Sequence, residues 1–229
     1  MKNIIVLTGA GMSAESGLKT FRDADGLWEG HDVMEVASPQ GWCQDQELVL
    51  EFYNQRRKQL LQVKPNKAHK LIAELESNYR VQIITQNVDD LHERAGSTRV
   101  LHLHGELFKV RSTSNESLVY QWTDDLNTGD ICETGSQLRP HIVWFGEAVP
   151  LLDDAIEKTK TADILIIIGT SMQVYPAASL IHYIPENTPI YFIDPKPNIS
   201  SSSFNNLTVI SEKAGEGVEK LMEYLIHNS

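Results

Sequence analysis

Residues 2–14 read KNIIVLTGAGMSA, an apolar run that stops at a glycine-rich turn. Ile4, Ile5, Val6 and Leu7 are consecutive rather than alternating with polar residues, as in a strand buried on both faces. Gly9-x-Gly11-x-x-Ala14 follows at once and opens a helical turn. A strand, then this motif, then a helix is the setting in which the motif means dinucleotide binding. Glycine lets the backbone approach a pyrophosphate, and a helix N-terminus offers free N–H groups and a positive dipole end. An ordinary tight strand–helix turn is the competing reading of the same residues. A dehydrogenase would also carry a second strand ending in Asp or Glu about 20 residues on. Here residues 20–30 form a loop with Phe21, Arg22, Asp25, Gly26 and Trp28, so hydride chemistry is not supported.

Working outward, residues 19–40 read as a long loop. Leu50, Tyr53 and Leu60 have helical spacing and predict a helix over 46–63, and 66–78 repeats the pattern. Strands are predicted at 81–85, 100–104, 142–145, 163–169, 189–194 and 207–211, and helices at 151–160 and 215–226. Residues 111–138 are polar and read as a small insert. Strands alternating with helices predict an α/β fold: a Rossmann-like parallel sheet with helices on both faces, plus a small insert domain.

The chain of 229 residues suits one large domain, or one domain with an insert. Its 41 % hydrophobic and 22 % charged residues exclude disorder, collagen and coiled coil. The longest apolar run, 164–169, is strand-sized, and the start of the chain is too short for a signal-peptide core, so neither a membrane span nor export is expected. A net charge of −11 repels phosphate backbones and argues against a nucleic-acid partner. Two cysteines, Cys43 and Cys132, make neither a disulfide framework nor a four-thiolate zinc site, and the simplest setting is a reducing cytoplasm.

Five segments occur in order: GAGMSAESGLKTFRDADGLW (9–28), QNVDDLHERAG (86–96), His104-Gly105, LRPHIVWFGE (138–147) and GTSMQVYPAA (169–178). Together they resemble the sirtuin family of NAD-dependent protein lysine deacylases, over nearly the whole chain. The resemblance implies one catalytic domain over 1–229, with an insert module at 105–138 and a helical part of the small domain at about 31–79. It implies NAD as cosubstrate and acylated-lysine proteins or peptides as partners. Gly9, Ala10, Gly11, Ser13, Ala14, Phe21, Arg22 and Trp28 match the cofactor loop. Gln86, Asn87, Val88 and Asp89 match the nicotinamide and ribose pocket, and Gly169, Thr170 and Ser171 the second glycine turn. Phe192, Ile193 and Asp194 match a ribose-binding strand end, although the family often has Asn and Glu there. Ala214 matches the residue whose backbone meets the adenine.

In the family's reaction the amide oxygen of acyl-lysine attacks the ribose carbon bearing nicotinamide, nicotinamide leaves, and the acyl group passes to ADP-ribose. Asn87 and Asp89 would hold the leaving group and ribose in line. A base must activate a ribose hydroxyl, and histidine, with an ordinary pKa near 6.5, suits that task. Among eight histidines, the residues alone rank His92, His102 and His104 equally, and the resemblance selects His104. His102 is expected on the opposite side of the same strand. Asp89 and Asp90 are adjacent and cannot both enter one pocket, and position in the motif selects Asp89.

Tyr53 and Arg56 share a helix face at i, i+3. A guanidinium binds a carboxylate through two parallel hydrogen bonds, and a phenol can add a third. The resemblance to class III members, which prefer succinyl- and malonyl-lysine, rests on this pair and on Ala37, whose small side chain would widen the acyl pocket. A solvated face is the alternative, since Arg56-Arg57-Lys58 is a charge run. Phe145, Gly146 and Glu147 match a peptide-binding strand. Most sirtuins also hold zinc with two Cys-x-x-Cys pairs. Here these positions are Ser112 and Asn115, then Ile131 and Thr134; Cys132 is one position off and Cys43 far away. No metal is therefore expected, and the insert is expected to be held around Val119, Tyr120, Trp122 and Leu126. An NAD glycohydrolase or ADP-ribosyltransferase, and an idle NAD-sensing module, are the competing functions. A monomer is expected.

Overall fold

The computed structural model describes residues 1–19, 27–199 and 204–227. β1 (Asn3–Thr8) runs into two short 3-10 turns, Ala10–Met12 and Ala14–Ser16. A small hairpin, β2 (Leu27–Trp28) and β3 (His31–Asp32), leads into α1 (Val33–Val36), α2 (Pro39–Gln44) and α3 (Gln46–Gln62). Then come α4 (Lys67–Glu74), β4 (Arg80–Thr85), α5 (Leu91–Arg94) and β5 (Val100–His102). The insert contributes β6 (Gly105–Ser112), β7 (Val119–Gln121) and β8 (Leu138–Ile142). α6 (Leu152–Thr159), β9 (Ile164–Ile168), a 3-10 segment Ala177–Tyr183, β10 (Ile190–Ile193), β11 (Leu207–Ile210) and α7 (Ala214–His227) complete the chain.

The consecutive apolar residues of β1 and β9 have a simple cause. Successive side chains point to opposite faces, and both faces are covered. Ile4, Val6, Ile164, Ile166 and Ile168 pack on one face with α4 and α7, through Ala68, Ile72, Val218 and Leu221. Ile5, Leu7, Leu165 and Ile167 pack on the other with Ala155 of α6 and with Ala177, Leu180 and Ile181. The resulting six-stranded parallel sheet has the order β11-β10-β9-β1-β4-β5. β1 lies at its centre, paired with β4 on one side and β9 on the other. Among the described residues, no helix is long and apolar enough to cross a membrane.

The structure differs from the sequence reading in several places. The loop expected over 19–40 contains α1 and the start of α2. α1 is N-capped by Asp32, and α2 by Ser38 with Pro39 in its first turn. The strand expected over 100–104 stops at His102. The strand expected at 142–145 belongs instead to β8, which ends at Ile142. The helix after Pro65 does not join the helical part of the small domain. α4 is fixed by a capping box between Asn66 and His69, and its apolar face lies on the large sheet, so that part ends with α3. The insert itself is a three-stranded antiparallel sheet, β7-β6-β8. A small core of Val110, Leu126, Cys132 and Leu138 lies beside it, flanked by Tyr120 and Trp122. Val119 is exposed and takes no part in that core.

The turns after β1 and β9 touch backbone to backbone. Gly11 N–H donates to Gly169 O at 2.8 Å. Gly169 has φ +61°, and a Cβ there would lie 2.4 Å from Gly11 C and Met12 N. Gly169→Ala is expected to cost about 3 kcal/mol of stability or more. Gly129→Ala, at φ +98° with nothing within 4 Å of its Cβ, should cost only about 1 kcal/mol. Urea unfolding of both variants measures the difference; equal losses would show that the loop contact imposes no packing constraint.

Candidate active site

In an open parallel sheet, ligands bind beyond the carboxyl ends of the strands where the strand order reverses. Here that point is β1, and the turns after β1, β4 and β9 meet there. Asn87 Nδ2 donates to Gly9 O at 3.1 Å and to Ser13 Oγ at 3.2 Å. Ser13 Oγ donates to Asp89 Oδ2 at 2.9 Å, and Leu91 N–H to Asp89 Oδ1 at 3.2 Å. Gln86 Nε2 donates to Thr170 Oγ1 at 3.2 Å, tying in the turn after β9. Asn87, Asp89, Ser13 and Thr170 are all buried. Burial raises the Asp89 carboxyl pKa, and its Ser13 and Leu91 donors work against that shift. Asp90 lies outside the cluster and pairs with Arg94 on the surface.

The three candidate histidines separate clearly. His92 is fully buried, its Nε2 is 3.2 Å from Thr8 Oγ1, and its ring packs against His69 at 4.9 Å. Burial drives its pKa well below 6.5, so it is a neutral core residue. Strand alternation puts residues i and i+2 on the same face, so it does not set His102 apart from His104. β5 ends at His102, and the following turn makes the separation. His102 Nδ1 bonds Asn87 O at 3.1 Å and its Nε2 pairs with Glu93 at 2.7 Å. Burial lowers its pKa, but the Glu93 bond and charge outweigh that and raise it. His104 Nδ1 lies 3.0 Å from Gln86 O. A carbonyl only accepts, so Nδ1 carries the proton and Nε2 is the basic nitrogen. Burial lowers the His104 pKa, against the Gln86 bond, and keeps the ring neutral at pH 7. Gly105, at φ +84°, permits the turn: a Cβ there would lie 2.0 Å from His141 O.

The remaining cofactor-loop positions divide by burial. Ala10, Gly11 and Ser171 are part-exposed and Ala14 is exposed at the crevice turns, and Val88 O accepts from Leu107 N–H at 2.8 Å. Ala214 opens α7, whose Gly215 N–H donates to Glu15 at 2.8 Å. Phe21 and Arg22 lie outside the described residues. Phe192 and Ile193 are core residues on opposite faces of the sheet and offer only backbone to a ligand; Asp194 alone brings a polar side chain to that strand end.

A second cluster joins α1, α3 and the segment after β8. Ala37, Phe52, Tyr53 and Trp144 are buried together. Trp28 packs edge-on against Phe52 at 4.9 Å and Tyr53 at 6.1 Å, so its described contacts are here rather than in the cofactor crevice. Arg56 lies over the Phe52 ring at 5.0 Å, with a buried Nε that has no partner among the described residues. Burial lowers its pKa and the charge of Glu29 offsets part of this. Phe145 N–H donates to Ala37 O at 2.9 Å, so residues 145–147 do reach this cluster. They form a turn rather than a strand, with Gly146 at φ +91°. Glu147 is not free for a peptide. Its carboxylate takes Arg139 at 2.6 Å, Arg111 at 3.3 Å and Trp144 N–H at 2.8 Å. Trp144 and Arg139 were not singled out from sequence, although both lie in the LRPHIVWFGE segment.

In the insert, Ser112, Cys132 and Thr134 do converge. Cys132 Sγ is 3.3 Å from Ser112 Oγ and 3.0 Å from Thr134 Oγ1, while Ser114 and Ser136 bond at 2.6 Å. Hydroxyls with one thiol do not fit a zinc site, which needs thiolate, imidazole or carboxylate ligands. The crevice does fit a dinucleotide. Its glycines bare the backbone, and both Asp89 oxygens can accept one more donor each.

The Sir2 family matches residues 9–176. The NAD-dependent protein deacylase of Helicobacter pylori (strain ATCC 700392 / 26695) is 62 % identical over 226 residues, covering 99 % of this chain and 98 % of that protein. That of Bacteroides thetaiotaomicron is 53 % identical and covers 99 % of each. A Sir2 homologue solved with NAD has a TM-score of 0.87 at 41 % identity, covering 99 % of this chain and 90 % of that one. A Sir2 bound to acetylated peptide has a TM-score of 0.79 at 29 % identity, covering 96 % and 92 %.

The buried histidines have a consequence for stability. Burial lowers the folded-state pKa of His69 to about 4, from 6.5. The unfolded chain therefore takes up this proton first, and stability is lost as pH falls from 6.5 towards 4. His69→Gln keeps an N3 acceptor for Asn66 N–H and removes the titration. Its unfolding free energy should fall less between pH 7 and 4 than the parent's, by on the order of 2 kcal/mol. Chemical denaturation across that range measures both slopes, and equal slopes would remove His69 from the account.

Proposed function

The chain belongs to the Sir2 family, and we propose that it is an NAD-dependent protein lysine deacylase that favours succinyl- and malonyl-lysine. The observation that carries the deacylase reading is the neutral His104, held by Gln86 O beside the Asn87–Ser13–Asp89 network. Bound NAD supplies the ribose carbon and the nicotinamide leaving group. Asn87 and Asp89 orient what binds against them, and they are themselves fixed by Gly9 O, Ser13 and Leu91 N–H. Such orientation lowers a barrier by several kcal/mol, roughly. His104 Nε2 accepts a proton from a ribose hydroxyl, with its tautomer fixed through Nδ1. A general base contributes about 10²–10⁴ in rate.

The acidic-acyl preference is supported by Ala37, Tyr53 and Arg56 meeting in one apolar cluster. A half-buried guanidinium whose Nε has no partner among the described residues is a costly donor that an incoming carboxylate would satisfy. With NAD and matched peptides, succinyl-lysine should be removed faster than acetyl-lysine, with nicotinamide and O-acyl-ADP-ribose formed together. Nicotinamide release without peptide would favour a glycohydrolase instead. The kcat/KM profile should hold its plateau to below pH 6.5 before falling as His104 protonates. Arg56→Met should reduce kcat/KM for succinyl-lysine at least tenfold more than for acetyl-lysine; equal losses would refute the carboxylate role.

The insert needs no metal on this reading. Elemental analysis of the active protein should find well under one zinc per chain, and a chelator should leave both activity and melting temperature unchanged. One tightly bound zinc per active chain would overturn this.

A further inference from the structure

Trp144 Nε1 donates to the Tyr53 hydroxyl oxygen at 3.0 Å, across 91 residues of sequence. An indole N–H only donates, so the direction of this bond is fixed and the Tyr53 oxygen is its acceptor. The phenolic proton must therefore point elsewhere, and among the described residues Tyr53 donates to none. Both side chains are buried, with exposures of 2 % and 0 %. Burial raises the Tyr53 pKa far above neutrality, so the group stays a donor at any working pH.

The indole is held firmly. The Arg139 guanidinium lies 3.3 Å from the Trp144 ring centroid, and Glu147 binds both Arg139 at 2.6 Å and Trp144 N–H at 2.8 Å. Ala37 packs in the same cluster, and Arg56 follows Tyr53 on the same helix.

We propose that Trp144 is a specificity-positioning residue: by occupying the acceptor side of the Tyr53 hydroxyl, it leaves the phenolic proton for the carboxylate of an acidic acyl group. This rests on the acidic-acyl reading above. A carboxylate is an acceptor only, so it matches a hydroxyl whose proton is kept free. An acetyl group ends in a methyl and leaves that buried donor unsatisfied.

Trp144→Phe keeps an aromatic face under Arg139 and removes the N–H. The KM for a succinyl-lysine peptide should rise about five- to tenfold, and the succinyl-to-acetyl KM ratio should rise with it. In a Tyr53→Phe background the same change should add little. Equal increases in both KM values, or a full effect in the Tyr53→Phe background, would overturn the proposal. If Trp144→Phe does not fold, benzothienylalanine placed at position 144 exchanges only the N–H for sulfur and is read the same way. A parent enzyme that removes acetyl faster than succinyl overturns the acidic-acyl reading and this inference with it. A parent succinyl preference untouched by the change at Trp144 overturns the inference alone.

Discussion

The contact between Gly11 and Gly169 governs the crevice. Each glycine sits where the other's side chain would be, with a Gly169 Cβ placed only 2.6 Å from Gly11 Cα. Because nothing intervenes, the turns after β1 and β9 close to hydrogen-bonding distance. Gln86, from the turn after β4, then reaches Thr170. The glycine spacing gives room for a pyrophosphate. The packing adds that the same residues hold two strand ends together, so the glycines are needed with or without a ligand.

Net charge and local charge point in opposite directions. The surface is acidic overall, at −11. Yet Arg57, Arg111 and Arg139 are buried around α3 and β8, and Arg56 is half-buried beside them. Within this group Glu147 faces both Arg111 and Arg139, so the carboxylate there is outnumbered. A buried guanidinium with unsatisfied donors is costly. Arg57 in turn bonds Asn54 Oδ1 at 2.5 Å and faces Asp125, so the buried guanidinium groups are offset by local partners rather than by the acidic surface.

What was legible in the sequence was whatever depends on periodicity. The double-faced strands β1 and β9, helix α3 and the closing helix α7 follow from apolar spacing. What was not legible depends on a single backbone turn or on a distant partner. His104 was read as strand, but the turn at Gly105 sets its direction. Residues 145–147 match a peptide-binding strand in sequence, but they form a turn, and two arginines take the Glu147 carboxylate, one of them 36 residues away. Phe192 and Ile193 match a ribose-binding strand end in sequence, while their alternation sends both side chains into the two cores. Trp144 lies inside the LRPHIVWFGE segment, and its bond to Tyr53, 91 residues away, leaves no trace in the sequence.

Helix α3 connects the insert to the acyl cluster. Asn54 Nδ2 donates to Leu126 O at 3.1 Å, and Leu126 N–H donates to Asn54 Oδ1 at 2.8 Å, a two-way clamp on the insert backbone. Lys58 adds an ion pair with Asp125 at 2.8 Å, though an exposed pair of this kind contributes little. Tyr53 is the residue before Asn54, so one stretch of helix carries the insert on one side and the acyl cluster on the other. A metal fixes an insert from within. Here the Ser112–Cys132–Thr134 contacts tie the insert to itself and the Asn54 clamp ties it to the helix that carries Tyr53 and Arg56. Order in the insert and order in the Ala37–Tyr53–Trp144 cluster are therefore linked through the same turn of α3.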